Sequence, residues 1–248
     1  MPDYNEKAVE AILFGDDSFW HWQFLLNEQK WVEINKIFGE PEILYDEITA
    51  IYEVENVFYV VGPYGILTLN NEQYIFPSYE PYEYITSCVI GNNILVVRKY
   101  SHCEIRSTLE FNLLDTKSKQ VSELLIETSR DEFAVVEFLN QIWIVGGLGH
   151  KGNSQFEQLK TVQIYDPTNK ALFLPQIELV QARSYCKLIA YKNKLFVFGG
   201  RVNYEKSLKS VEMYSTDTNK FVLMAPMKIA RYKFGCCRVG NLVYIIGY

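Results

Sequence analysis

Few residues in this sequence are of types that do covalent or metal chemistry. There are three histidines: His21, His102 and His150. His21 lies between Trp20 and Trp22, the setting of a side chain packed on a strand. His102 and His150 fall in polar segments, but no third or fourth ligand stands at the fixed spacing a tetrahedral metal needs. His102-Cys103-Glu104 groups a base, a thiol and an acid. Neighbours along an extended chain point in different directions, so these three do not converge on one atom. Gly146-Gly147-Leu148-Gly149 is glycine-rich, but it opens no helix and so lacks the usual anion cradle. The acid pairs Asp16-Asp17 and Asp131-Glu132 read as solvated turn residues. No dinucleotide fingerprint, phosphate loop, nucleophile elbow or His-Glu-x-x-His occurs. The expectation is no catalytic residue, no metal and no cofactor.

Composition narrows the partners. The chain has 248 residues and a net charge of −6, with no basic stretch long enough to track phosphates. Nucleic acid is therefore not expected. No apolar run reaches the roughly 18 residues that span a bilayer. The start, Met1-Pro2-Asp3-Tyr4-Asn5-Glu6-Lys7, is polar, unlike a secretory signal. The five cysteines, Cys88, Cys103, Cys186, Cys236 and Cys237, form no Cys-x-x-Cys pair and read as reduced core thiols. No Asn-x-Ser/Thr acceptor is present. Together these point to a reducing compartment, the cytoplasm.

The elements that position any site come from a repeat. Asn140-Gln-Ile-Trp-Ile-Val-Gly-Gly147 matches Asn193-Lys-Leu-Phe-Val-Phe-Gly-Gly200 across a shift of 53 residues. Gly62, Arg98 and Gly247 stand where Gly146 and Gly199 do, and Asn56, Asn92 and Asn241 precede them by the same six residues. Ten residues before each Asn an apolar strand begins, at Asp46, Tyr82, Arg130, Arg183 and Arg231. A weaker copy is Ala11-Ile-Leu-Phe-Gly15. The best copy divides into strands at Tyr185–Tyr191, Leu195–Phe198, Val211–Tyr214 and Phe221–Met224. With 18 Tyr and 15 Phe, the composition also favours strands, although Glu6–Phe14 has the pattern of a short helix. Four short strands cannot bury both faces alone. Sheets stacked face to face around an axis can, which predicts an all-β propeller.

These features resemble the kelch repeat, in which a Gly-Gly doublet is followed by a Tyr and then by an aromatic. The doublets are Gly146-Gly147 and Gly199-Gly200, the tyrosines Tyr165 and Tyr214, the aromatics Trp31 and Phe221. Leu223-Met-Ala-Pro-Met-Lys-Ile-Ala-Arg231 has the look of a blade junction. Arg98-Lys99 replaces one doublet, Gly62-Pro63 half-replaces another, and Ala171 stands where an aromatic belongs. The resemblance implies a single kelch-type β-propeller over residues 1–248, made of antiparallel four-stranded blades. A partial blade is expected at 8–36, fuller blades at about 46–78, 82–126, 130–177 and 183–227, and a partial blade at 231–248. Kelch rings close when a C-terminal strand joins the N-terminal blade. Joining 232–239 to 10–15 gives five blades, and starting a sixth at 231 leaves it short. Closure is thus expected to be incomplete or divergent, as in a fragment or divergent copy of a six-bladed parent.

The resemblance also implies which loops bind. They are the loops after strand two and the junctions before strand one. The former carry Tyr64, Arg98, Lys99, Tyr100, His102, His150, Arg201 and Tyr204. The latter carry Arg130, Arg183, Ser184, Arg231 and Tyr232. Arginine forks read carboxylates and tyrosine supplies rigid amphipathic area, so an acidic peptide segment is the expected ligand. The sequence is similar to the propellers of BTB–kelch adaptors, which present substrates to cullin-type ubiquitin ligases. The BTB and BACK domains are not in this sequence, so the expected role is recognition alone. Actin is the alternative partner. A copper-radical oxidase or a sugar epimerase is the enzymatic alternative, against which the scarcity of histidine counts.

Overall fold

The computed structural model describes residues 10–15, 18–25, 30–34, 50–55, 57–62, 65–68, 73–75, 82–101, 107–126, 128–150, 156–203, 206–239 and 241–246. Every regular element among them is a strand. The chain divides into two compact units, residues 1–79 and 80–248, parting between the blades expected at 46–78 and 82–126.

The first unit holds two antiparallel sheets. Strands β1 (Glu10–Gly15), β2 (Ser18–Leu25) and β3 (Lys30–Ile34) form one, in chain order. Strands β4 (Ala50–Val54), β5 (Val57–Val61), β6 (Gly65–Thr68) and β7 (Gln73–Ile75) form the other. The helix expected over Glu6–Phe14 is corrected where the chain is described: residues 10–14 are strand. Glu10 to Phe14 pair in register with Leu25 to His21, and a ladder to a distant partner outweighs a weak local period. Residues 6–9 lie outside the described ones.

The second unit repeats one plan. Strands β8 (Tyr82–Ile90), β9 (Asn93–Ser101), β10 (Ser107–Asp115) and β11 (Gln120–Leu124) form a four-stranded sheet. The next segment contains β12 (Arg130–Asp131), β13 (Ala134–Phe138), β14 (Gln141–Val145), β15 (Leu148–His150), β16 (Phe156–Gln158), β17 (Val162–Asp166) and β18 (Ala171–Phe173). Of these, β13-β14-β17-β18 make the blade, and β12-β15-β16 make a small separate sheet that the repeat pattern did not announce. Strands β19 (Lys187–Tyr191), β20 (Lys194–Phe198), β21 (Val211–Ser215) and β22 (Lys220–Met224) form the third blade, close to the spans read from sequence. Strands β23 (Gly235–Val239) and β24 (Leu242–Ile246) form a two-stranded sheet.

Alternation along β14 shows how these sheets stack. Trp143 and Val145 join a cluster with Leu195, Val197 and Tyr214 of the following blade. Ile142 and Ile144 join one with Leu95, Val97 and Phe111 of the preceding blade. One strand therefore buries both faces against different neighbours, as a central blade must. Trp143 lies 5.0 Å from Tyr214 and 5.2 Å from Phe138, ring centre to ring centre. The aromatic position is also corrected. Tyr214 pairs with Phe221 and Tyr165 with Leu172, so Leu172, not Ala171, takes the place of the aromatic. Leu172 packs against the buried cluster containing Tyr165.

The glycine doublets stop strand two for a steric reason. Gly199 has φ +55° and Gly200 has φ +97°. A Cβ on Gly199 would sit 2.6 Å from the Arg231 carbonyl oxygen, and one on Gly200 would sit 2.6 Å from that of Ser184. Gly200 N–H donates to the same Arg231 carbonyl at 2.8 Å. The doublet thus lets the next junction lie directly on the strand end. Where Arg98-Lys99 replaces it, the break is lost, and β9 and β10 run on to nine residues each.

Candidate functional site

In each blade of the second unit, strand one starts, and strand two ends, at the same end of the sheet. The arginines expected to face a partner there divide into two groups.

The first group is consumed by the fold. Arg183 is fully buried. Its Nη1 donates to the Gly199 carbonyl at 2.8 Å and the Ser210 carbonyl at 3.2 Å, and its Nη2 to Ser210 Oγ at 3.1 Å. Nη2 also pairs with Glu212, whose side chain is likewise fully buried. Glu212 in turn accepts from the backbone N–H of Val180 at 2.7 Å and of Gln181 at 2.9 Å. Arg130 repeats this plug one blade earlier, donating to the carbonyls of Gly146 and Thr161 and to Thr161 Oγ1 at 2.9 to 3.0 Å. There Gln163 stands in the place of Glu212. Burial alone pushes the Arg130 guanidinium down to about 10. Arg98 is buried too, with Nη2 2.6 Å from Glu110. Ser184 is fully buried and exchanges backbone hydrogen bonds with Arg201. Arg98, Arg130, Arg183 and Ser184 were expected on the binding face; the structure corrects this, because their polar atoms are enclosed in the blades.

The second group gathers around the buried Arg201, with its outer members reaching the surface. Glu132, Tyr185 and Lys233 each lie two residues after the Arg that opens a repeat, and all three have positive φ, at 54°, 52° and 52°. The other seven non-glycine residues with positive φ, Glu55, Lys119, Leu139, Asn140, Lys170, Lys192 and Asn219, sit in strand-to-strand turns, where that conformation is ordinary. The three junction residues are linked: Tyr185 N–H donates to the Glu132 carbonyl at 2.8 Å, and Lys233 N–H to the Tyr185 carbonyl at 3.4 Å.

Their side chains meet two of the expected residues. Arg201 Nη2 contacts both Glu132 carboxylate oxygens, at 3.0 and 3.1 Å. The Arg201 guanidinium lies 4.6 Å from the centre of the Tyr185 ring and 5.5 Å from that of Tyr232. Lys233 Nζ lies 4.6 Å from the Tyr185 ring, and the two tyrosine rings are 6.3 Å apart. Tyr232 and Lys233 are exposed and Tyr185 is half-buried. Beside them Lys99 Nζ lies 3.0 Å from Asp131. The arrangement is a small platform of two rings edged by cations, the chemistry that holds carboxylates and flat apolar groups.

The remaining expected residues lie apart or outside view. Arg231 is half-buried, bridged through its backbone to Leu208. His150 ends β15 opposite Phe156, and Tyr100 pairs with Thr108 in β9. Tyr64, His102 and Tyr204 lie outside the described residues. Sequence reading missed Glu132, Tyr185 and Lys233. The signal in the sequence is their constant offset of two residues from Arg130, Arg183 and Arg231.

Among the described residues no group of three or more His, Cys, Asp or Glu is placed to hold a metal. Cys88, Cys186, Cys236 and Cys237 are unbridged. Burial pushes the Cys186 thiol up to about 11 and the Cys236 thiol up to about 12. Cys237 is exposed, which corrects its reading as a core thiol. No described helix is long and apolar enough to cross a membrane.

Four-stranded antiparallel blades, doublet-capped second strands and buried junction arginines make this an all-β fold of propeller-type blades with kelch features. The kelch motif model matches residues 182–228, the third blade of the second unit. Similar proteins include Kelch-like protein 15 of Mus musculus, 26% identical over 180 residues, covering 64% of this chain and 29% of the relative. Kelch-like protein 23 of Homo sapiens is 24% identical over 163 residues, with coverages of 63% and 27%. Kelch repeat and BTB domain-containing protein 8 of Xenopus tropicalis is 32% identical over 120 residues, with coverages of 43% and 18%. The match spans less than a third of the length of these relatives. Among solved structures, that of YjhT superposes with a TM-score of 0.57 at 13% identity, over 68% of this chain and 57% of that one, a likeness of fold.

Proposed function

We propose that this chain is a non-enzymatic protein-interaction module of the cytoplasm whose ligand is an acidic peptide segment. In this reading it recognises the substrates of a cullin-type ubiquitin ligase, the role of the adaptors it resembles. The binding platform is Tyr185, Arg201, Tyr232 and Lys233, flanked by Lys99. One observation carries the reading. The same repeat position holds Glu132, Tyr185 and Lys233, each in a left-handed conformation that costs on the order of 1 kcal/mol for a side chain that is not Gly or Asn. At that cost the three side chains are brought to one place, where Glu132 meets Arg201 and Lys233 stands over the Tyr185 ring.

The test is capture of synthetic acidic peptides by the immobilised chain. Tyr232→Ala combined with Lys233→Glu should weaken capture by about tenfold or more, since both side chains are exposed and central to the platform. The melting temperature should stay within about 2 °C, as surface changes rarely exceed 0.5 kcal/mol. Unchanged capture by the double variant rejects this platform. Co-sedimentation with filamentous actin, without acidic-peptide capture, replaces the ligand class.

A further inference from the structure

We infer that Glu132 is a specificity-determining residue of this platform: its carboxylate occupies, from within the chain, the seat that a ligand carboxylate takes on Arg201. The inference rests on the acidic-ligand reading above and goes on to say where the acid lands and what competes with it.

Among the arginine–carboxylate pairs of the described residues, two contrast in construction. The Arg183–Glu212 pair is sealed, with both side chains at 0% exposure. Glu212 is also pinned by the N–H groups of Val180 and Gln181. Removing that carboxylate would strand two amides and a cation. The Arg201–Glu132 pair is nearly buried but not sealed, with side-chain exposures of 10% and 13%. Among the described residues, the Glu132 carboxylate accepts hydrogen bonds from Arg201 Nη2 alone. It is an end-on contact through a single nitrogen rather than a two-nitrogen fork, and no backbone amide anchors it. Rotation of one glutamate side chain empties the seat and leaves the protein backbone in place.

The surroundings of the seat say what fits it. The guanidinium is fixed against the Tyr185 and Tyr232 rings, so it stays oriented when its carboxylate changes. Lys233 stands over the same Tyr185 ring and has no carboxylate partner among the described residues. A ligand carboxylate entering beside it gains a second cation that Glu132 does not use. The class of ligand is therefore a peptide with two neighbouring acidic side chains, one replacing Glu132 on Arg201 and one reaching Lys233. A singly acidic peptide exchanges one carboxylate for another and gains little.

The experiment measures fluorescence anisotropy of two fluorescein-labelled decapeptides, one with a single Glu and one with an adjacent Glu pair, against the full chain. Proteins compared are the wild type, Glu132→Gln and Glu132→Ala, with near-ultraviolet circular dichroism checking the fold of each. Removing the internal competitor should tighten the diacidic peptide about tenfold in both variants, with a smaller gain for the monoacidic one. Wild-type binding that is unchanged or weakened in the folded variants overturns the competitor role of Glu132 and leaves the acidic-ligand reading standing. No binding of either peptide by wild type and folded variants alike overturns that reading, and this inference with it.

Discussion

Two arginines that look alike in the sequence have opposite chemical fates. Arg201 directly follows the Gly199-Gly200 doublet and Arg183 reaches the Gly199 carbonyl from the junction, yet one is a sealed plug and the other sits under a group of surface side chains. The plug makes a clear energetic case. Breaking a buried pair from one side leaves an uncompensated charge, at about 3–5 kcal/mol, whereas replacing both partners by apolar groups is often close to neutral. Arg183→Met alone should therefore lower the stability of the second unit by about 3–5 kcal/mol in urea titration. Arg183→Met with Glu212→Leu should recover only part of that loss, because the N–H groups of Val180 and Gln181 lose their acceptor. A double variant no better than the single one would show that the guanidinium's bonds to Gly199 and Ser210, rather than charge balance, are the main contribution.

At the scale of the element, hairpins and doublets were the most legible features. The strands of residues 183–227 appear in the structure within about two residues of where alternation and turn residues put them. What escaped was the small β12-β15-β16 sheet and the isolated bridges Ser184–Arg201 and Leu208–Arg231 in the next blade. These pairings are one to three residue pairs long, so they leave no local period. Of the residues that gather around Arg201, the sequence reading named Arg201 itself and Tyr232 but not Glu132, Tyr185 or Lys233. Burial of Arg98, Arg130 and Arg183 was not legible, because it depends on carbonyl groups supplied by tertiary contact.

The turns at the opposite end of the blades carry a pH signature. Asp115 accepts from the N–H groups of Lys117 and Ser118, both at 2.9 Å, and Asp166 from that of Thr168 at 2.8 Å. These backbone donors hold both carboxyls below the ordinary aspartate range. A carboxyl depressed by folding contributes stability in full above its unfolded value, and that contribution disappears as pH falls through the folded value. Between about pH 5 and pH 3 the wild type should thus lose stability faster than an Asp115→Asn, Asp166→Asn double variant. Chemical denaturation at several pH values reads the two slopes, and parallel slopes would mean the turns do not sense acid.

At the scale of the molecule, the second unit is held together by sheets that share their fillings. Trp143 belongs to one blade and packs on Tyr214 of the next, so its loss is felt by both. Trp143→Ala should cost about 3–5 kcal/mol. In hydrogen exchange, protection should fall together in β13–β14 and β19–β21. Loss confined to β13–β14 would show that the blades open independently.

The junction backbones have a consequence for anything that lands on them. Through most of the unit, adjacent sheets stand a full side-chain layer apart, roughly 10 Å. At Glu132, Tyr185 and Lys233 the main chains instead touch, amide to carbonyl, from one blade to the next. Along this seam the gap between sheets is stitched shut. Among the described residues these amides and carbonyls are already spent on one another, so a peptide bound as proposed would have to be read by side-chain tips rather than by strand extension.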